Sequence, residues 1–204
     1  MNSTMHSTPA GSVTEQWGRI ARWVSDNLNG VTFDGADSGA INAAMEATGI
    51  EWPSELVELL GLINGFPADR HVSLLPQHAM FDVQRVVDER AMELDVWSEF
   101  SEEFGGLEPG TEAGGVVGTY HPAFVPFAGL DGYLFVVDTR PGPLHGCVTE
   151  FEKVDADGEG PRWVSMSAML PDLADSLETG CVFDQSSTPA VVDGHLEWQY
   201  GTEE

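Results

Sequence analysis

The sequence predicts an α+β fold with N-terminal helices, a central antiparallel sheet and a closing C-terminal helix. Three observations carry this. First, residues 121–151 hold three short runs rich in β-branched and aromatic residues, 124–127, 133–137 and 146–151. Asp131-Gly132 and the Pro/Gly-rich segment 138–143 separate them, as turns separate strands. Second, these connections are too short for crossover helices, so neighbouring strands must run antiparallel. Third, apolar residues recur at helical spacing both before and after this meander, and such stripes need a sheet to pack on.

The elements follow in order. Residues 1–11 are polar and Ser/Thr-rich, have no apolar signal-peptide core, and are expected to be a disordered leader. Residues 12–180 are expected to form one domain, and residues 181–204 a C-terminal extension. Ser12-Val13-Thr14-Glu15 reads as a capping box. Trp17, Ile20, Ala21, Val24 and Leu28 then line one helical face, with Asn29-Gly30 as the stop. A second helix begins near Asp37 or Ser38, carries Ile41, Ala44 and Met45, and stops at Gly49. Pro53 opens a third, which buries Leu56, Leu59, Leu60 and Ile63. Residues 72–76 read as a short strand. Residues 80–104 read as one or two helices, with a break expected around 90–94 because the apolar spacing is irregular. Residues 105–118 form a Gly-rich acidic loop. After the meander, 155–161 reads as an exposed acidic loop. Met166, Met169, Leu170, Leu173 and Leu177 give the closing helix, ended by Gly180. In the extension, Asp193-Gly194 sits between alternating apolar residues and predicts a hairpin.

Composition narrows the function. The chain has 204 residues, 34 acidic against 8 basic, and a formal net charge of −26; Lys153 is its lysine. Such a surface repels nucleic acid and anionic lipid and attracts basic partners. Acidic, lysine-poor chains also arise in salt-adapted or GC-rich proteomes with no partner implied. Two cysteines, Cys147 and Cys181, exclude a disulfide framework and favour a reducing cytoplasm. No apolar run approaches the roughly 20 residues of a membrane-spanning helix.

The motifs of catalysis are not legible. There is no Gly-x-Ser-x-Gly elbow, no Walker loop and no zinc-ligand spacing. Asp155-x-Asp157-Gly158 lacks the remaining ligands of a calcium loop and reads as a solvated turn. Cys147 falls in a strand pattern and reads as a core residue. His71 and His78 read as surface residues, and His121 as a stacked or hydrogen-bonded structural one. Trp52 and Trp198 stand at element boundaries and are the tryptophans expected to be exposed. The sequence therefore predicts no enzyme, no cofactor and no metal.

Several of these residues together resemble a known family. Trp17 and Trp23 lie in a leading helix. Gly35-Ala36-Asp37-Ser38, Ile41, Glu46, Gly49, Trp52-Pro53-Ser54-Glu55-Leu56 and Asn64-Gly65 follow. His121-Pro122, Pro126-Phe127-Ala128, Asp131-Gly132, the run 134–138 and Pro141-Gly142 come later. The pattern, over roughly residues 15–180, resembles the SUKH superfamily, named for the yeast Smi–Knr cell-wall assembly regulators. Trp52-Pro53 stands where family sequences usually carry Leu-Pro, and Tyr120 or His121 where a Trp is common. The resemblance implies an immunity protein that binds and neutralises a toxin domain, often a nuclease. The alternative it implies is a regulatory scaffold that binds a host protein. Loop position and charge nominate Asp131, Asp138, Asp155, Asp157 and Glu159 as the partner-binding residues.

Overall fold

A computed structural model describes Met5 and residues 11–66, 72–104, 112–184 and 187–201, with 99–104 described by backbone alone. Apart from Met5 and Gly11, the expected leader lies outside the described residues. So does the 105–111 part of the Gly-rich loop.

The first helices form where their caps dictate. Helix α1 spans Val13–Asn27, and Ser12 Oγ accepts the Glu15 N–H at 3.1 Å. It ends two residues before the expected Asn29-Gly30 stop. Helix α2 spans Ser38–Thr48, and Asp37 caps it by accepting from Gly39 and Ala40 at 2.8 and 3.0 Å. Helix α3, Ser54–Leu60, follows Pro53 and buries Leu56, Leu59 and Leu60. Each of those leucines contributes about 1.5–3 kcal/mol.

Two expectations fail in the next segment. Residues 72–76 form no strand. Leu74 and Leu75 are buried, the chain turns at Gln77, and the short strand β1 is Ala79–Met80 instead. Helix α4, Val83–Phe104, is unbroken. Its apolar spacing looks irregular because Met92 and Val96 are exposed, so the helix needs no bend to hide them. Asp82 caps it through the Arg85 N–H at 2.7 Å, and Asn64 accepts from Val83 at 2.9 Å.

The meander forms as expected. Strands β2 (Phe124–Leu130), β3 (Tyr133–Asp138), β4 (Val148–Glu152) and β5 (Pro161–Trp163) extend β1 into a five-stranded antiparallel sheet in sequence order. Asp131 and Gly132 both have positive φ, 54° and 80°, as the tight turn between β2 and β3 requires. Pro126 is tolerated inside β2 because β1 pairs only with Ala128 and Gly129, and a register shift follows Pro126. Successive side chains face opposite ways. Phe151, opposite Leu134, meets Trp97 of α4 edge-on at 5.3 Å. Phe135, opposite Glu150, meets Trp163 on the other face at 5.7 Å.

Helix α5, Met166–Thr179, is capped by Ser165 and ends at a left-handed Gly180. Glu55 of α3 accepts from the Ser167 N–H and hydroxyl at 2.9 and 2.8 Å, tying the two helices together. The extension folds as predicted into a hairpin, β6 (Ser187–Val192) and β7 (His195–Tyr200), closed at Asp193-Gly194. It forms its own two-stranded sheet. Leu196 is buried, and Trp198 donates to the Ser73 carbonyl at 2.7 Å, so the hairpin packs on its own chain.

Candidate functional site

The five nominated carboxylates divide into two groups. Asp138 and Asp157 are buried, 1% and 2% exposed, and the reading of both as partner-binding residues is corrected. Asp138 accepts from the Arg140 side chain at 2.6–3.1 Å, from the Arg140 backbone at 3.0 Å and from the Gly114 backbone at 2.9 Å. Arg140 in turn donates to the Gly115 carbonyl at 2.7 Å. Asp157 accepts from the Val117 N–H at 2.8 Å and from the Gly118 N–H at 2.7 Å. The segment from 112 to 118 has no regular partner for these amides, and a buried amide needs one. Two aspartates folded inward supply it. The turn at 155–161 is therefore not wholly solvated, since its middle acid anchors a loop.

Asp131, Asp155 and Glu159 are exposed. The β2–β3 turn carrying Asp131 and the β4–β5 connection carrying the other two lie at one end of the sheet, because Tyr133 pairs with Glu152. Lys153 donates its backbone N–H to the Gly132 carbonyl at 3.0 Å, which ties the turns together, and its ammonium lies over the Tyr133 ring. Beside them, Glu150, Glu152, Asp155 and Glu159 line a groove of about 330 Å³ with Arg162. Four carboxylates thus face one guanidinium. That guanidinium is held by Glu150 at 2.7 Å and lies 3.7 Å from Asp184. The Glu152 carboxyl is raised above the usual carboxylate range by partial burial, then by Glu150 and Asp155. Glu150 and Glu152 were not singled out from the sequence. Their signal was the polar positions of β4, a strand otherwise buried on both sides.

Three further expectations change. His78 is buried, not on the surface. Its ring stacks on Phe135 at 4.0 Å and its Nδ1 lies 2.7 Å from the Pro76 carbonyl. Burial pushes its pKa down to about 4, so it is neutral near pH 7. Trp52 is buried and donates to Thr48 Oγ1 at 3.2 Å. Trp198 is half-buried. His121 is structural as expected: its Nδ1 accepts the Ala123 N–H at 3.0 Å, and burial, then Arg140, lowers its pKa. Cys147 is buried, its thiol pushed up to about 12, and Cys181 is exposed. His71 lies outside the described residues.

Among the described residues, no group of three or more His, Cys, Asp or Glu side chains is placed to hold a metal ion. No described helix is long and apolar enough to cross a membrane. No family model matches the chain, and no curated protein is similar to it in sequence.

Proposed function

We propose that the protein is a cytoplasmic binding module that neutralises a basic toxin domain, a nuclease being the fitting class. The observation that carries this is the cluster of acids at one end of the sheet: Asp131, Asp155 and Glu159, which are exposed, and the adjoining half-buried Glu152. Rigid strands and short turns present them, so little conformational entropy is lost when a partner docks. Nuclease faces are basic because they hold phosphates. An acidic face complements such a surface and speeds the encounter. The resemblance to SUKH sequences points the same way.

Capture from the native host by the tagged protein, with partners identified by mass spectrometry, tests this. A basic toxin-like protein is expected with the wild type and not with the variant D131N/D155N/E159Q. Equal recovery of that protein by the variant overturns the choice of face. Capture of an acidic or neutral host protein by both overturns the toxin-neutralising reading and favours the regulatory scaffold.

A further inference from the structure

The C-terminal hairpin leaves one edge of its sheet open. Strands β6 and β7 pair with each other, and no other described strand lies beside β7. The two-residue turn at Asp193-Gly194, with φ of 51° and 78°, makes Val192 and His195 the hydrogen-bonded pair that closes the hairpin. Backbone direction alternates along each strand from there. Glu197 and Gln199 therefore turn their N–H and C=O groups towards β6, and Leu196, Trp198 and Tyr200 turn theirs outward. Ser187, opposite Tyr200, agrees with this parity: it faces away from β7 and exchanges backbone bonds with Phe183 at 2.7 and 3.1 Å. That exchange and Pro189, which has no N–H, block the β6 edge. The β7 edge has neither device. Its pairing is regular, without proline or bulge, and the outward groups of Leu196, Trp198 and Tyr200 find no backbone partner among the described residues. Such an edge is a template for a further strand.

We propose that a second copy of this chain covers the edge, β7 against β7 in antiparallel order about a two-fold axis at Trp198, so that the two hairpins join into one sheet. The side chains choose this occupant and this register. Outward-facing residues must pair with outward-facing residues. A two-fold at Trp198 satisfies all three, setting Leu196 opposite the partner's Tyr200 and Trp198 opposite the partner's Trp198. A two-fold at Glu197 would instead set that carboxylate against its own copy. On the inner face the pairs are apolar and aromatic, and they cover Tyr200, which is 48% exposed, and the half-buried Trp198. On the outer face Glu197 meets the partner's Gln199, whose amide donates to it. Charge sets the conditions. Each chain carries −26, yet β7 has one acid among its six residues, and repulsion from the rest is screened beyond about 8 Å at physiological salt. Added salt therefore tightens the dimer, the reverse of its effect on a basic partner. This inference does not rest on the toxin-binding reading.

Sedimentation of the full chain from micromolar to millimolar concentration, at physiological and molar salt, tests this, with amide hydrogen exchange followed alongside. A monomer–dimer equilibrium that shifts to dimer with salt is expected. The Leu196, Trp198 and Tyr200 amides should exchange more slowly as dimer forms, while those of Glu197 and Gln199 are protected throughout. Q199K sets a lysine opposite the partner's Glu197 at two symmetric places and is expected to tighten the dimer about fivefold; Q199E sets like charges there and is expected to weaken it by about as much. E197K/Q199E restores opposite signs and should recover the affinity lost in Q199E. Glu197 and Gln199 are exposed, so these variants leave the monomer's fold intact. A chain that stays monomeric at millimolar concentration and molar salt overturns the proposal. A dimer that Q199K and Q199E leave unchanged overturns β7 as its seam. Edge amides slowed by a different protein, and not by the chain's own concentration, overturn the second copy as occupant.

Discussion

His78 is held neutral by burial, and that has a consequence for acid stability. In the unfolded chain its pKa is the ordinary 6.5, and in the folded chain about 4. Between those values the unfolded state binds the extra proton, so stability is fully present above pH 6.5 and is lost as pH falls towards 4. The loss is about 3 kcal/mol, from about 1.4 kcal/mol per pKa unit. The groups around the ring are Glu150, Arg162 and Asp184. Chemical denaturation of wild type and H78Q across this range is expected to show the extra acid loss in wild type alone; parallel curves would refute it. Arg140 argues the converse case. Its partner Asp138 is as buried as it is, so R140M leaves a buried carboxylate without its cation and costs about 3–5 kcal/mol. A urea midpoint shift corresponding to under about 1 kcal/mol would show that the backbone amides alone suffice for Asp138. None of this was visible in the sequence. Which loop acid turns inward depends on amides some 24 and 40 positions away, and no local pattern encodes that pairing. The glycines at 114 and 118 were the nearest hint, since both adopt positive φ, 81° and 72°, where their amides turn towards the aspartates.

Elements with their own punctuation were legible. Ser12, Asp37 and Ser165 mark helix starts because each offers a side-chain oxygen to a free N–H, and Asp131-Gly132 and Asp193-Gly194 mark hairpins through their positive φ. Elements defined by their neighbours were not. Strand β1 has two residues and exists through pairing with Ala128 and Gly129. Helix α4 keeps going through Met92 because its Glu, Arg and Ala residues favour helix whether or not each apolar side chain finds the core. The hairpin β6–β7 lies between these cases, readable as a hairpin but silent about where it packs. Its anchor is Trp198, which sits 5.9 Å from the Phe183 ring, itself stacked on Trp163 at 5.4 Å. W198A removes half-buried ring area and leaves the Ser73 carbonyl unpaired, for a loss of about 2 kcal/mol. W198F should restore the ring contact and recover part of that loss. Equal urea midpoints for wild type and W198A would mean the hairpin is not held by this anchor.

At the scale of the molecule, 34 acids against 8 bases act on two equilibria at once, and salt separates them. Like charges crowd one another in the folded state, so raising ionic strength should relieve repulsion and increase the stability of the isolated protein. Screening shortens electrostatic reach to about 8 Å at physiological salt and about 3 Å at 1 M. An interface made by the acids at the sheet end should therefore weaken over the same range, on the order of tenfold for a steered charge-complementary encounter. Opposite signs follow: the melting temperature rises while the association rate with a basic partner falls. The variant D131N/D155N/E159Q should keep most of the rise in melting temperature, since most acids remain, yet lose much of the salt dependence of association. Thermal melts and stopped-flow association across a salt series measure both. A melting temperature that rises with salt while association stays flat would assign the acidity to solubility alone, and would leave the exposed acids at the sheet end without a binding role.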